Sequence, residues 1–479
     1  MSKTYLTIDI GTGNTKIHLI DSAGNVHGKR SFSNHYHRDD RYPDALYFQP
    51  DAWEDRIMEA ISSLLSDFPN RMVDAISASG ARQTVVLIDK KGVCRIGLPN
   101  IDNRGKQYMD EFCGDGDIYR RTGKWVTEDF PAAKMMGFQK EYPEEFEEIK
   151  TFTSLSEWVG YFLTGMLCIE PTQAGETQLF NIHTRKFEDD LAKMYGIDSL
   201  QFPTVQAAGS CLGEVSKKWT ESLPTLVGAK FIVGGADTQI AISSAEPTAQ
   251  DYAVVSGTTT PICTFSSEAI YDKRERIWMD CDLEGRGYYF EVNPGSTGLN
   301  YQRFLRTFLP GADYAALESA YQKMDHIKVV SSLTSLQFTE KIAQKSGGFF
   351  TKAPFPEDLG PIDFSWAILA DIACAISSQI WSLEDILQEN HVSNAAKKRM
   401  LGIGGGFQSP TLCQMLSDLM GKPLVLSAHY VQETSYGLLR LCNQYFKIEL
   451  KGKKLAQSIL PKKGALIQEY YTLWKQYRK

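Results

Sequence analysis

The chain has 479 residues, of which 43% are hydrophobic and 23% charged, with a net charge of −7. That length allows two or three domains with buried cores, and the acidic balance weighs against nucleic acid or an anionic membrane as the main partner. Nine scattered cysteines without a Cys-x-x-Cys pair fit reduced thiols in a cytoplasmic protein better than a disulfide frame or a zinc site.

Met1 to Asp9 carries Lys3 inside its only apolar stretch and is not a signal peptide. Tyr5–Ile10 and Lys16–Asp21 read as two strands of a hairpin around Gly11-Thr12-Gly13-Asn14-Thr15. So small and polar a turn can offer several amides and hydroxyls to one anion. A plain hairpin would use Gly and Asn equally well, but it leaves Asp9, a lone carboxylate ending an apolar strand, without a purpose. A divalent cation beside a phosphate loop supplies one. Asp51 is expected to cap a helix that buries Trp53, Ile57, Ile61, Leu64 and Leu65. Strands Ala75–Ser79 and Val85–Asp89 flank Gly80-Ala81-Arg82-Gln83. Arg82 and Gln83 thus stand at a strand end, where they hydrogen-bond a polyhydroxylated or carbonyl ligand or, with equal weight, form a solvated loop. Asn100-Ile101-Asp102-Asn103-Arg104 is placed like a second site loop. Ser154 to Glu157 has capping-box spacing, which makes Glu157 structural. Pro171–Leu179 has no reading from its pattern alone.

In the middle of the chain, Phe231–Val233 runs into Gly234-Gly235-Ala236-Asp237 and then a weakly apolar helix start. Asp237 at the mouth of a cleft can take a proton from a hydroxyl and help hold a metal ion. On this stretch alone, a simple helix cap is the favoured alternative; the motifs elsewhere reverse that order. Ala245–Asp251 reads as a domain junction. Tyr252–Val255, the turn Ser256-Gly257-Thr258-Thr259-Thr260, and Pro261–Phe265 repeat the device at Asp9–Thr15. Two such turns, one opening each half, predict a duplicated domain whose halves face each other across a cleft. Phe364–Leu383 is apolar but contains Asp371 and is expected to be a buried core helix, not a membrane span. Lys397–Gly402 leads into a strand, followed by Gly404-Gly405-Gly406-Phe407-Gln408. Ser409 then caps a helix with Pro410 first, Leu412, Met415, Leu416 and Leu419 buried, and Gly421 as its stop. The glycine run suits a flat ligand such as adenosine, though it also suits an ordinary tight connection. The tail Leu450–Lys479 is basic and helical in pattern. The eight histidines show no zinc-site spacing, and no Gly-x-Ser-x-Gly elbow occurs.

Taken in order, these stretches resemble the FGGY carbohydrate kinases of the actin-like ATPase superfamily. Asp9-Ile-Gly-Thr-Gly-Asn-Thr-Lys16 is similar to that family's first phosphate loop, Ser256–Thr260 to the second, Gly234–Asp237 to the catalytic-base motif, and Gly404–Ser409 to the adenosine motif. Leu163-Thr-Gly165, Thr177–Asn181 and Glu433–Gly437 fall where the family has similar runs. The chain departs from the family at Gly137, where tryptophan is usual, around Asp363–Asp371, at Gly80–Gln83, and at Pro99–Arg104. Those departures concern substrate recognition. Within the family the Asn-Ile-Asp-x-Arg form, the arginine in the preceding loop and Ala174-Gly175-x-Thr177 look most like autoinducer-2 kinases, which phosphorylate a linear five-carbon dihydroxydiketone.

The resemblance implies an α/β fold of two duplicated actin/ribonuclease-H-like domains flanking an ATP-binding cleft, residues 1–246 and 247–479. It implies transfer of the γ-phosphate of ATP to a hydroxyl of a small sugar, polyol or ketone, with a pentulose as the alternative acceptor. Asp237 would be the base, and Asp9 and Asp237 would attend Mg²⁺. Thr12, Gly13, Asn14, Lys16, Gly257, Thr258 and Thr259 would hold phosphates, and Gly405, Gly406 and Gln408 the adenosine. Arg82, Gln83, Asp102 and Arg104 would hold the acceptor. No nucleic-acid or membrane partner is implied, and a homodimer is compatible. Two other readings are an ATP-gated protein-binding module, which would ignore sugars, and a degenerate kinase that senses a sugar without turnover.

Overall fold

The computed structural model describes residues 2–42, 44–112, 116–392, 398–449 and 455–478. The chain forms two compact units, Met1–Ser244 with Met279–Tyr288 and Thr434–Gly452, and Ala245–Trp278 with Tyr289–Glu433 and Lys453–Lys479. A single cut after residue 246 therefore does not separate them, because the chain returns twice to its first unit.

The first unit is built on strands β1 (Thr4–Ile10), β2 (Asn14–Asp21), β3 (Val26–Ser33), β4 (Ala75–Gly80), β8 (Cys211–Glu214) and β9 (Lys230–Ala236), once β5 (Val85–Asp89), β6 (Cys94–Leu98) and β7 (Ile149–Ser154) are set apart as a smaller sheet. The main sheet runs β8-β9-β4-β1-β2-β3. Alternation along each strand assigns its two faces. Leu6, Ile8 and Ile10 join Ile76, Phe231 and Val233 on one face, under Trp53 and Ile57 of α1 (Pro50–Ser66) and Trp158 of α2 (Leu155–Thr164). Tyr5, Ile20, Ala75 and Ile232 point the other way, against Ile240 of α3 (Asp237–Ser244) and Leu438, Leu439 and Leu441 of α4 (Glu433–Tyr445). The second return segment thus completes the cover of a sheet face on which residues 1–246 alone place only α3.

In the second unit β10 (Asp251–Val255), β11 (Ile262–Ser266), β12 (Arg399–Ile403), β13 (Leu424–Ser427) and β14 (Leu455–Ile459) run β11-β10-β12-β13-β14. From the hairpin onward the pairings are antiparallel, parallel, parallel, antiparallel. The first unit repeats this sequence through β2-β1-β4-β9-β8. The expected duplication is thus present in the sheets, with no short sequence repeat behind it.

Several local expectations change. The first turn is shorter than expected, since β2 already begins at Asn14. Gln49 is the N-cap of α1; Asp51 lies in its first turn beyond Pro50. Ser154 does cap α2, but no side-chain capping bond forms; its hydroxyl donates to Glu157 instead. Pro361–Glu389 is a buried helix, as expected of the apolar stretch around Asp371. Ser409 accepts from the Leu412 amide, and Gly421 closes that helix in the left-handed region. The tail, expected to be helical, is a helix only over Ala465–Tyr477; Leu455–Ile459 is instead strand β14, paired with β13. Leu450–Lys454, Lys479 and Lys397 lie outside the described residues.

Candidate active site

The parallel register around β4 builds the centre. Asp9 pairs with Ser79 from one side, while Gly235 and Ala236 pair with Ser79 and Gly80 from the other. Asp9 and the start of Asp237 therefore end strands about 10 Å apart, two strand spacings. A register shift between Ile232 and Gly235 bends β9 just before Asp237. Gly234 permits this because a Cβ there would overlap the Ala78 carbonyl, and one on Gly235 would meet Glu170 Oε2. Asp237 is the first residue of α3 and not its cap. Its Oδ1 accepts from the Thr238 amide (2.7 Å) and hydroxyl (3.3 Å), and among the described residues nothing donates to Oδ2. Burial raises its pKa to about 6, with Arg82 opposing and Asp9 assisting.

Asp9 is mostly buried, accepts from Ser79 Oγ (3.1 Å) and lies 4.0 Å from Lys16 Nζ. Burial raises its pKa as well. Among the described residues no three His, Cys, Asp or Glu side chains form a metal cage. Two carboxylates reluctant to ionise still suit Mg²⁺, which keeps several waters and takes its other oxygens from phosphates.

The hairpin tip is held from behind. Its Gly11, Thr12 and Gly13 carbonyls accept from Asn34 Nδ2, Tyr36 Oη and the Asn34 amide, and Asn100 Nδ2 donates to Thr12 Oγ1. The Thr12 and Gly13 amides donate to no described group, and a Cβ on Gly13 would meet nothing within 4 Å. Asn14 and Lys16 follow on β2. The tip thus leaves two backbone N–H groups without a described acceptor, which is what an anion site requires.

Arg82 and Gln83 follow β4 after Ala81. Arg82 Nη1 lies 3.5 Å from Glu176 Oε1 and 3.8 Å from Asp280 Oδ2. Gln83 sits in the left-handed region at φ 62, and buried Lys134 donates to its carbonyl at 2.7 Å. Asp102 and Arg104, read from sequence as acceptor ligands, are instead spent on each other. Asp102 accepts from the Leu46 amide and Arg104 Nε. Arg104, itself buried, also reaches Asp39 and the Leu46 carbonyl. Nothing in the Asn-Ile-Asp-x-Arg pattern announces this, because a site loop and a buried ion pair use the same residues. The sequence reading missed Lys124, Glu176, Gln239 and Asp280. An acid inside the apolar run Ile277–Cys281 was the available signal for the last.

In the second unit Gly257 N closes on Thr259 O at 3.0 Å, and the Thr258 amide donates to no described group. The Gly406 amide donates to Ser256 O, and a Cβ on Gly404 or Gly406 would overlap Ser256. Those two glycines therefore let the strand end of β10 pack closely. Only Gly405 is exposed, beside the exposed Gln408. Ser409 and Thr411 are held by Glu318, which occupies that helix N-terminus.

Fold and first-unit geometry together are those of an α/β phosphotransferase built from two related domains. Residues 4–243 match the model of the FGGY family of carbohydrate kinases, N-terminal domain. The chain is 34% identical to "Putative sugar kinase YoaC" of Bacillus subtilis over 99% of its own length and 96% of that protein's. It belongs to the FGGY family of carbohydrate kinases, and it is a sugar kinase. A xylulose kinase of Lactococcus lactis is 23% identical over 99% of this chain and 97% of its own. The fold matches a ligand-bound xylulose kinase of Lactobacillus acidophilus with a TM-score of 0.82 at 17% identity, covering 99% and 97% of the two chains. Likeness to an autoinducer-2 kinase of Salmonella choleraesuis is narrower than the sequence motifs suggested, 27% over 36% of this chain and 33% of that one. YoaC matches better and throughout.

Proposed function

We propose that this ATP-dependent sugar kinase phosphorylates a primary hydroxyl of a short ketose or sugar-like ketone, with Asp237 as general base. The observation that carries the reading is the register that sets Asp9 and Asp237 on either side of Ser79–Gly80, with Arg82 two residues beyond. Asp237 Oδ2 takes the hydroxyl proton while Oδ1 stays fixed by Thr238, so the acceptor oxygen gains nucleophilicity at the γ-phosphorus. Arg82 and Gln83 orient the acceptor's oxygens, and Lys134 holds Gln83 in its left-handed geometry. Asp102 and Arg104 support the neighbouring loop from beneath. The Thr12 and Gly13 amides and Lys16 receive phosphate oxygens in the first unit. In the second, Gly257, Thr258 and Thr259 do the same, and Gly405, Gly406 and Gln408 border the adenosine, with Gly406 serving through its packing on Ser256. Bound near Asp9 and Asp237, Mg²⁺ would neutralise phosphate charge.

Two acceptors share the support. The linear autoinducer-2 precursor is favoured by Asn100–Arg104 and Ala174–Thr177, and a pentulose by full-length similarity to a xylulose kinase. A phosphorylation screen with ATP over that precursor, xylulose, ribulose, gluconate, erythritol and glycerol decides between them. We expect ADP release with at least one ketone. A protein that hydrolyses ATP at one rate whatever is added is a switch ATPase, and the proposal fails.

A further inference from the structure

Beneath Arg82 lies a cluster of buried charges that proton abstraction does not use. Glu176 ends the turn after the short helix Pro171–Gly175, Asp280 lies on the strand Trp278–Cys281, and Lys124 follows a helix ending at Thr122. Lys124 forms an ion pair with Asp280 and lies 3.8 Å from Glu176 Oε1. Gln239, two residues past Asp237, donates to Asp280 Oδ2 at 3.2 Å. Lys124, Glu176 and Asp280 are at most 1% exposed, while the Arg82 side chain retains 11%. Arg82 is therefore the member of the cluster that can meet a ligand. Its charge and that of Lys124 are matched by Glu176 and Asp280, and Asp9 and Asp237 stand against Lys16 and the buried Lys134 on the Gln83 carbonyl, which leaves no cation in excess. An acceptor bearing its own carboxylate would need an uncompensated cation, because a buried charge without a partner is strongly disfavoured.

We propose that Glu176 and Asp280 are specificity-determining positioning residues. By neutralising Arg82 and Lys124 they make the site select uncharged acceptors and reject sugar acids. This rests on the kinase reading with Arg82 at the acceptor.

The test uses the full-length protein with ATP and matched acceptors, D-xylulose against D-xylonate and D-glucitol against D-gluconate. It follows ADP release for turnover and calorimetry for binding. The neutral member should be preferred by on the order of a hundredfold in kcat/KM. Asp280→Asn and Glu176→Gln should narrow that ratio about tenfold, mainly by lowering KM for the acid. A merely structural role would lower both members alike. Parent protein that uses either acid within about threefold of its neutral partner overturns the charge filter, whether or not the variants fold. An unchanged ratio in both folded variants overturns the assignment to these residues. Neutral sugars that bind while acids do not, without ADP release, would uphold the filter and sink the kinase reading instead.

Discussion

Burial lifts the pKa of Asp237 to about 6, Arg82 pulls it down, and Asp9 pushes it up. A base must be ionised to act, so kcat/KM for the acceptor should fall on the acid side of about pH 6. Replacing Arg82 by Met removes the cation that favours the ionised form. The acid limb should then move to higher pH, which a pH–rate profile of the two proteins checks. The unfolded carboxyl titrates near 3.8. Its folded pKa is higher, so the stability gained from its neutral form is complete below 3.8 and lost as pH rises through 6. Asp237→Asn should therefore lower turnover by on the order of a hundredfold while raising stability at pH 8 by about 1–2 kcal/mol. Thermal unfolding alongside the assay reads both.

Glycine has two uses in these elements. On Gly404, Gly406, Gly234 and Gly137 a Cβ would run into Ser256, Ala78 or the Arg104 backbone, so these glycines serve close packing. Gly137, where relatives are expected to carry tryptophan, leaves no room for any side chain. Gly13 instead faces open space at the first hairpin tip, and a Cβ on Gly257 would make only an ordinary contact with the Thr259 carbonyl. Gly406→Ala should accordingly cost about 1–3 kcal/mol of stability. Gly13→Ala should leave the melting temperature nearly unchanged and raise KM for ATP. The opposite pattern, with Gly13→Ala unfolding the protein and ATP binding untouched, would remove the first hairpin from the nucleotide site.

At the scale of the molecule, the first unit closes only when the chain returns to it. Leu283, Leu438, Leu439 and Leu441 cover the face carrying Tyr5, Ile20 and Ile232, and Asn443 accepts from the Tyr5 hydroxyl at 2.9 Å. A fragment of residues 1–246 should therefore expose that apolar face, bind a hydrophobic dye, and lack a cooperative melt. A fragment with a sharp melt would contradict this dependence. Beneath β9, buried Glu170 receives the Thr172 hydroxyl, and that hydroxyl in turn accepts from the Ala236 amide. Burial raises the pKa of both Glu170 and nearby Glu157. Their neutral forms stabilise the fold fully at acid pH, and that contribution declines as pH climbs toward and past neutrality. The melting temperature should thus fall between pH 6 and 9, and Glu157→Gln should flatten the decline.

The sequence by itself determined what depends on neighbours along the chain. Both hairpins, the Gly-Gly-Ala-Asp turn and the capped helix after Gln408 are local patterns, and periodicity placed the strands that carry the site motifs and several buried helical faces, but not Val26–Ser33, Cys211–Glu214 or Leu424–Ser427. The family followed from several such patterns in order. Partnership across the fold was decided only by tertiary structure. Asp102 and Arg104 looked like ligands because polar residues in a loop carry no mark of burial, whereas Lys124, Glu176 and Asp280 are far apart in sequence and meet only when strands, turns and a return segment converge. A charge's role depends on what stands opposite it in space, and that pairing is absent from the linear order.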